Sequence, residues 1–271
     1  MTRKALLVGI NKYKMPGADL NGCVNDVTNV RDILLKFFAF RVDEIRLLVD
    51  ERATKQAIMD RLTWLVKGAK AGDRLLFHYS GHGSQIRDRD GDELKDKMDE
   101  ILCPHNMDWD GTYIVDDELQ KIFSCIIPGV LLEIFLDCCH SGTGTRVLRG
   151  LEKLPPEFSF KPRFLPPPID LQSRIDEDLE VKRLFRTINP VSHILFAGCR
   201  DNQTSADAMI GGHYNGAFTY YLCKHLRDTN ATINRAELLK RVRASLRFND
   251  FNQVPQLEAP KDKMTKKILD V

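Results

Sequence analysis

Two short motifs carry residue types that could do chemistry together. His82 stands between Gly81 and Gly83 at the end of an apolar run, and a second apolar run stops at Asp137-Cys138-Cys139-His140-Ser141-Gly142. Each run is typical of a buried strand that ends in small, turn-forming residues. A histidine and a cysteine delivered to strand ends predict nucleophilic catalysis by a thiol, with an imidazole as its base.

The pairing follows from the chemistry of the thiol. A free cysteine has a pKa of about 8.5, and only its thiolate is nucleophilic, so it needs a neighbouring base. His82, with an ordinary pKa of about 6.5, can accept that proton and later return it to a leaving amine. The backbone N–H groups of Gly83 and Cys139 could form an oxyanion hole.

The two adjacent cysteines require a choice of nucleophile. If a helix begins near Cys139, its positive N-terminal end favours a thiolate there, while Cys138 points to the other side and fills the core. We therefore predict Cys139 as the nucleophile and Cys138 as a structural residue. His140 diverges from Cys139, because side chains one residue apart face different ways, and His78 is expected to be a packed core histidine.

Each motif alone also has an ordinary structural explanation. A cysteine at a strand end is most often a small buried hydrophobic residue, and a histidine between two glycines is usually only a turn. Their joint occurrence at two predicted strand ends favours an active site.

The apolar runs that position these motifs predict a parallel sheet. They are short and mostly hydrophobic on both faces, as in strands covered by helices on both sides. The five predicted strands are Ala5–Ile10, Ile45–Val49, Leu75–Tyr79, Val130–Leu136 and His193–Ala197. Helical periodicity predicts helices over Asp26–Phe38, Thr54–Val66 with Thr54 as N-cap, Asp116–Ser124, Gly216–Arg227 and Asn234–Leu246. The alternation indicates an α/β fold with helices on both faces.

Two stretches interrupt this alternation. Residues 86–111 are acidic and rich in turn formers, and we expect them to be too polar for the core. Residues 143–190 contain most of the prolines, which predicts a long surface connection. Neither is expected to be a separate domain, so we predict one domain over residues 1–271.

Composition bounds the class of protein. The 271 residues are 43% hydrophobic, enough for a full core, and a net charge of +2 gives no reason to expect nucleic acid or a membrane as a partner. The apolar segment Ala5–Ile10 is too short for a signal-peptide core. Seven cysteines without any CxxC pair favour a reducing compartment and argue against structural zinc. We predict a cytoplasmic protein.

The motifs together resemble the metacaspases and related prokaryotic caspase-like peptidases. The resemblance runs in family order through five blocks: 20–26, His78-Tyr79-Ser80-Gly81-His82-Gly83-Ser84-Gln85, 111–118, Asp137-Cys138-Cys139-His140-Ser141-Gly142, and 198–207. It implies a caspase-like three-layer α/β/α sandwich with a mostly parallel central sheet. Residues 1–142 would then be the large-subunit-like part, 143–190 the connection and 191–271 the small-subunit-like part.

The same resemblance implies a Cys/His-dyad endopeptidase that cleaves after Arg or Lys. His82 would be the general base and acid and Cys139 the nucleophile. The residues implied to line the pocket for the side chain before the scissile bond are Cys23, Asp26, Ser80 and Asp137. Two carboxylates near one pocket favour a basic side chain. For Asp26 alone, the ordinary alternative is an N-cap or first-turn acid of its helix.

Many metacaspases are activated by calcium, and the family's calcium carboxylates match Asp99, Asp116 and Asp117. Arg146 stands where the family places a further Asp, and a guanidinium opposes calcium binding. The expectation is that no cofactor takes part in the chemistry, with Ca²⁺ as a potential activator.

Family members can cleave themselves after a basic residue in the connection. The candidates here are Arg146, Arg149, Lys153, Arg163, Arg174, Lys182, Arg183 and Arg186. The alternative is a rigid, proline-stiffened cover that is never cut.

Competing functions stay open beside the peptidase. One is a non-catalytic caspase-like scaffold that binds basic peptides. Another is a metal-dependent hydrolase using His78 and His82, which is disfavoured because two positions four apart on a strand are about 13 Å apart. The expected partners are proteins or peptides with Arg or Lys, without nucleic acid or membrane, and the expected state is a monomer.

Overall fold

The computed structural model of the chain describes residues 1–87, 98–139, 160–172, 193–200 and 203–270. The strands are β1 (Arg3–Gly9), β2 (Ile45–Val49), β3 (Arg74–Ser80), β4 (Gly83–Arg87), β5 (Met98–Leu102), β6 (Ile114–Val115), β7 (Leu131–Asp137), β8 (Lys161–Pro162), β9 (His193–Ala197), β10 (Ala206–Ile210), β11 (His213–Gly216) and β12 (Gln256–Glu258). The helices are α1 (Cys23–Phe37), α2 (Lys55–Val66), α3 (Asp116–Phe123), α4 (Ile169–Gln172), α5 (Ala217–Asp228), α6 (Arg235–Phe248) and α7 (Lys261–Met264), with 3₁₀ turns at Val42–Glu44 and Asp50–Arg52.

The main sheet has the strand order β12-β9-β7-β3-β1-β2. β2, β1, β3, β7 and β9 run parallel, and β12 adds antiparallel to β9. All five predicted strands are therefore confirmed as one parallel sheet. In the pairing of β3 with β7, Ser80 lies opposite Asp137, so the histidine and cysteine motifs leave the sheet side by side.

The helices cover both faces of the main sheet. One hydrophobic cluster joins the sheet to α2 and α3 through Leu62 and Leu119. The other joins it to α1, α5 and α6 through Val30, Phe218 and Leu238. Because both faces are buried, the central strands are nearly continuous in hydrophobic residues. The predicted three-layer α/β/α arrangement is confirmed.

Two of the helices begin at a side-chain N-cap. The Thr54 side chain accepts a hydrogen bond from the Ala57 backbone N–H, as predicted for an N-cap, and Asn234 caps α6 in the same way. The first helix begins at Cys23 rather than at Asp26. Asp26 therefore lies within its first turn.

The expectation that residues 86–111 are too polar for the core is wrong for the described part of that stretch. β4 and β5 pair antiparallel, and β6 completes a small second sheet. Ile86, Ile101 and Leu102 are buried in the core. The mean polarity of a long window concealed these short apolar segments, while the most acidic part, residues 88–97, lies outside the described residues.

The expectation of a surface connection over 143–190 is wrong for residues 163–165, which are buried. β8 pairs with β10 in a third sheet, and Arg163, which follows β8, is fully buried. Residues 140–159 and 173–192 lie outside the described part of the chain, and so do His140 and the helix expected after Cys139. Among the described helices, none is long and apolar enough to cross a bilayer.

Candidate active site

His82 lies just beyond the end of β3, with its imidazole orientation fixed by a backbone carbonyl. Its Nε2 is 2.8 Å from the carbonyl oxygen of Ala18. A carbonyl only accepts, so Nε2 carries the proton and Nδ1 is left with a lone pair. Nδ1 is buried and has no hydrogen-bond partner among the described groups. This tautomer suits Nδ1 to accept a proton.

The backbone at His82 is held by a tyrosine. The His82 N–H donates to the Tyr13 hydroxyl at 2.8 Å, and the two rings lie 5.0 Å apart. A Cβ at Gly81 would come within 2.8 Å of the hydroxyl oxygens of Tyr13 and Tyr79. A glycine is therefore required before His82 for the backbone to approach these hydroxyls.

The predicted oxyanion donors converge on one oxygen. The N–H groups of Gly83 and Cys139 both donate to the carbonyl oxygen of Arg163, each at 3.1 Å. Two backbone donors on a single carbonyl oxygen are the arrangement that stabilises the oxyanion of acyl transfer. The His82 and Cys139 motifs therefore meet at the carbonyl group of the chain's own Arg163.

Cys139 is fully buried, and Ser205 and Cys199 adjoin it. The Ser205 N–H donates to the Cys139 Sγ, and Cys139 forms a small apolar cluster with Phe164 and Cys199. The hydrogen bond to Cys139 and burial raise the pKa of Cys199 well above its usual range. Cys199 therefore stays a neutral thiol beside the nucleophile. Cys138 packs in the core on the other side.

The Arg163 side chain fills a closed acidic pocket. Its Nη2 donates to Asp26 at 2.8 Å and to Asp207 at 3.0 Å. Its Nη1 donates to the Ser80 hydroxyl at 2.7 Å and lies 3.3 Å from Asp137 Oδ2. All three carboxylates are buried. The pocket thus binds a guanidinium through charge-assisted hydrogen bonds.

Each pocket carboxylate also accepts hydrogen bonds from groups other than the guanidinium. Asp26 accepts hydrogen bonds from the Ser80 hydroxyl and the Gly216 N–H, and Asp207 from the N–H groups of Asn21 and Gly22. Asp137 accepts from the Ser205 hydroxyl and from the N–H and hydroxyl of Thr219. These donors orient the three carboxylates around the guanidinium.

Similarity to known proteins identifies the family of this chain. The family model described as metacaspase, peptidase C14 domain, matches residues 3–147. Metacaspase-1 of Botryotinia fuckeliana is 35% identical over 94% of this chain and 67% of its own length. Metacaspase-1 of Schizosaccharomyces pombe is 33% identical, over 94% and 66%. The chain belongs to the metacaspase family. It is thereby placed among the cysteine-type endopeptidases, and it spans about two thirds of the length of these two relatives.

Solved structures show the same fold. A crystal structure of a protein from Geobacter sulfurreducens superposes with a TM-score of 0.72 at 23% identity, covering 100% of this chain and 99% of that one. Caspase-1 from Spodoptera frugiperda superposes with a TM-score of 0.61 at 14% identity, covering 98% and 88%. The expected caspase-like sandwich is confirmed.

Burial sets the charge state of this metacaspase's site. It lowers the pKa of His82 to about 4, so the imidazole is neutral near pH 7 and able to act as a base. Burial raises the pKa of Asp26 to about 7, although Arg163 opposes the rise. Burial alone would lower the pKa of Arg163, but Asp137 and the other carboxylates hold it well above its ordinary value. The guanidinium therefore stays charged.

His78 is a packed core histidine as expected, and Cys23 lies at the start of α1. Cys23 opens α1 at the pocket, and burial raises the pKa of its thiol, with Arg163 opposing. His78 is fully buried within β3, its Nδ1 3.3 Å from the Phe135 carbonyl oxygen, and burial lowers its pKa to about 4. Neither carries a charge near pH 7.

The carboxylates matched to the family's calcium site, Asp99, Asp116 and Asp117, all lie in described elements. Asp99 lies on β5, and Asp116 and Asp117 open α3. No group of three or more His, Cys, Asp or Glu residues in the described ranges could hold a metal ion. Arg146 lies outside those ranges. The calcium assignment stays a prediction.

Sequence reasoning missed three contributors to the site: Ala18, Ser205 and Asp207. Ala18 acts through its backbone carbonyl, which leaves no signature in side-chain type, and Ser205 acts through its backbone and through its hydroxyl on Asp137. Asp207 had a usable signal, because it stands between Ala206 and Ala208 in a short apolar strand. An acid buried in such a strand needs a partner.

Proposed function

We propose that this metacaspase hydrolyses peptide bonds after arginine or lysine, with Cys139 as nucleophile and His82 as general base and acid. It would also cleave its own Arg163–Phe164 bond. The single observation that carries the proposal is the placement of Arg163. Its side chain lies among three carboxylates while its carbonyl oxygen receives both the Gly83 and Cys139 N–H groups.

That placement is how a substrate residue should bind before the scissile bond. The Arg163 N–H also donates to the Ser205 carbonyl at 3.0 Å, which fixes its backbone on the other side. Side chain, amide and carbonyl are therefore all engaged at one residue. A site that engages all three selects the side chain and activates the carbonyl that follows it.

The chemistry then proceeds in two acyl-transfer steps. His82 Nδ1 takes the Cys139 proton, and the thiolate attacks the carbonyl carbon to form a tetrahedral oxyanion held by the Gly83 and Cys139 N–H groups. The C–N bond breaks as His82 returns the proton to the leaving amine. His82 then deprotonates a water that hydrolyses the thioester, releasing the carboxylate and restoring the thiol.

One observation favours a second candidate, binding of basic peptides without hydrolysis. Arg163 is fully buried in the acidic pocket. A basic side chain held this firmly is also what a site would show that binds basic segments and does not cleave them. The two candidates differ in whether any peptide bond breaks.

The test is hydrolysis of paired peptide reporters under reducing conditions. We expect amide reporters with Arg or Lys to be cleaved and a matched Asp reporter to be resistant. Cys139→Ala should lower turnover by about 10⁴-fold or more, whereas Cys138→Ala should retain it, with a thermal melt of each variant as a folding control. Binding of an Arg peptide without hydrolysis, with and without calcium, would establish the second candidate instead.

Three finer expectations belong to the same proposal: stimulation by calcium, a monomeric state and a cytoplasmic location. The absence of disulfides among the seven cysteines, all of which lie in described residues, supports a reducing compartment. Reporter assays with calcium and with chelator, sedimentation, and fractionation of cells test the three in turn.

A further inference from the structure

The two residues that follow Arg163 are also buried in the cleft. Phe164 is 7% exposed and Leu165 is 8% exposed. Both lie on the leaving-group side of the bond proposed for cleavage, where the acidic pocket makes no contribution. Because these two large apolar side chains are buried, the protein provides an apolar surface that contacts them.

The backbone of this segment is bound by β4, on a different element from the acidic pocket. Phe164 forms a parallel bridge with Gly83, and the Leu165 N–H donates to the Gly83 carbonyl at 3.0 Å. The Ser84 hydroxyl donates to the Leu165 carbonyl at 2.6 Å. Residues before the bond instead pair with β10, through Pro162 opposite Ala206. The cleft therefore binds the two sides of the bond on two separate strands.

The side chains are received by apolar groups. Phe164 packs with Cys139 and Cys199, and Leu165 joins the core cluster that also contains Leu102 and Cys138. Cys199 stays a neutral thiol at physiological pH, so no charge faces Phe164 from that side. A carboxylate or ammonium in the place of Phe164 would be desolvated beside Cys199, whose neutral thiol offers no opposite charge.

We infer that Gly83, Ser84 and Cys199 form a second substrate-recognition site, which selects a large apolar residue directly after the scissile bond and an aliphatic residue next to it. The inference rests on the proposed function and deepens it. The preferred sequence would be a basic residue followed by an aromatic or aliphatic pair, as in Arg163-Phe164-Leu165.

The test is a competition between two peptides that share Lys-Pro-Arg and differ afterwards, Phe-Leu in one and Asp-Lys in the other. The enzyme is the full chain carrying Arg163→Ala, so that its own segment lacks the guanidinium that anchors it. Cleavage is followed by mass spectrometry. We expect kcat/KM to favour the Phe-Leu peptide by about 10- to 100-fold, the range for filling an apolar pocket.

A second variant separates this site from the acidic pocket. Ser84→Ala should lower kcat/KM for the Phe-Leu peptide about tenfold more than for an Arg reporter whose leaving group is a small dye. Equal cleavage of both peptides after Arg would overturn the inference and leave the proposed function intact. If neither peptide is cut, the proposed function fails, and the inference falls with it.

Discussion

Among the residues that the structure describes, two arginines, Arg163 and Arg235, are fully buried, and they differ in what surrounds them. Arg235 on α6 donates from Nε to Glu133 at 2.6 Å, and its Nη1 and Nη2 each donate to a backbone carbonyl, of Lys263 and of Asp270. Glu133 in turn accepts from the Leu269 N–H. One positive charge therefore pairs with one negative charge, and backbone groups supply the other hydrogen bonds of both side chains.

Arg163 instead meets three carboxylates, and its Nε has no partner among the described groups. The excess negative charge is held by donors that do not depend on Arg163. The pair of Glu133 with Arg235 is balanced in charge, whereas an excess of buried acid around one cation indicates a binding site. A buried arginine alone does not distinguish the two cases.

The largest expected effect is on self-cleavage. Arg163→Gln removes the charge that the acidic pocket pairs with, and we expect the rate of cleavage at 163–164 to fall about 10⁴-fold, because a polar site rejects a side chain that leaves its groups unpaired. Arg163→Lys should retain most of the rate. The measurement is the intact mass of the purified chain over time, and rapid cleavage of the Gln variant at that bond would remove Arg163 from the substrate role.

The balanced pair should respond in stability rather than in activity. Arg235→Met leaves the Glu133 charge buried without its cation, and we expect a loss of about 3–5 kcal/mol in the free energy of unfolding. Urea titration measures it, with Arg235→Met/Glu133→Leu as the control that restores stability. A loss under 1 kcal/mol in the single variant would contradict the contrast between the two sites.

The third carboxylate should contribute to recognition of a basic side chain. Asp207→Asn weakens a charge-assisted hydrogen bond worth about 1.5–3 kcal/mol, so kcat/KM for an Arg reporter should fall roughly 10- to 100-fold. Asp228→Asn, at an exposed ion pair with Lys224, is the matched control and should have no effect. If the two variants behave alike, the pocket needs only Asp26 and Asp137.

The smallest expected effect is a pH dependence of KM. With Arg163 in the pocket the pKa of Asp26 is about 7, and the guanidinium holds it below the value that burial alone would give. Because a bound guanidinium favours the ionised form, substrate binding releases a proton, and affinity rises with pH. We expect KM for an Arg reporter on the Arg163→Ala chain to fall by less than about tenfold from pH 6 to pH 8. Asp26→Asn should flatten this dependence, and a steep slope that survives the substitution would assign it to another group.

Sequence patterns predicted the scaffold well because their causes are local. Two-sided hydrophobic runs identified all five parallel strands, and Thr54 marked the start of its helix. The window over 86–111 failed because apolar residues such as Ile101 and Leu102 were averaged with acidic neighbours. The extent of the pocket could not be predicted, since Asp207 lies far along the chain from Asp26 and meets it only through the fold.

By itself the sequence determined the sheet, the family and the two motifs that carry His82 and Cys139, because periodicity and motif spacing are properties of neighbouring residues. Only the tertiary structure decided that Arg163, one of nine basic residues in the connection, lies in the acidic pocket. It also decided that Gly83 and Cys139 share the Arg163 carbonyl oxygen. Both depend on contacts between distant segments, which form only when β3, β7 and β10 bring their ends together.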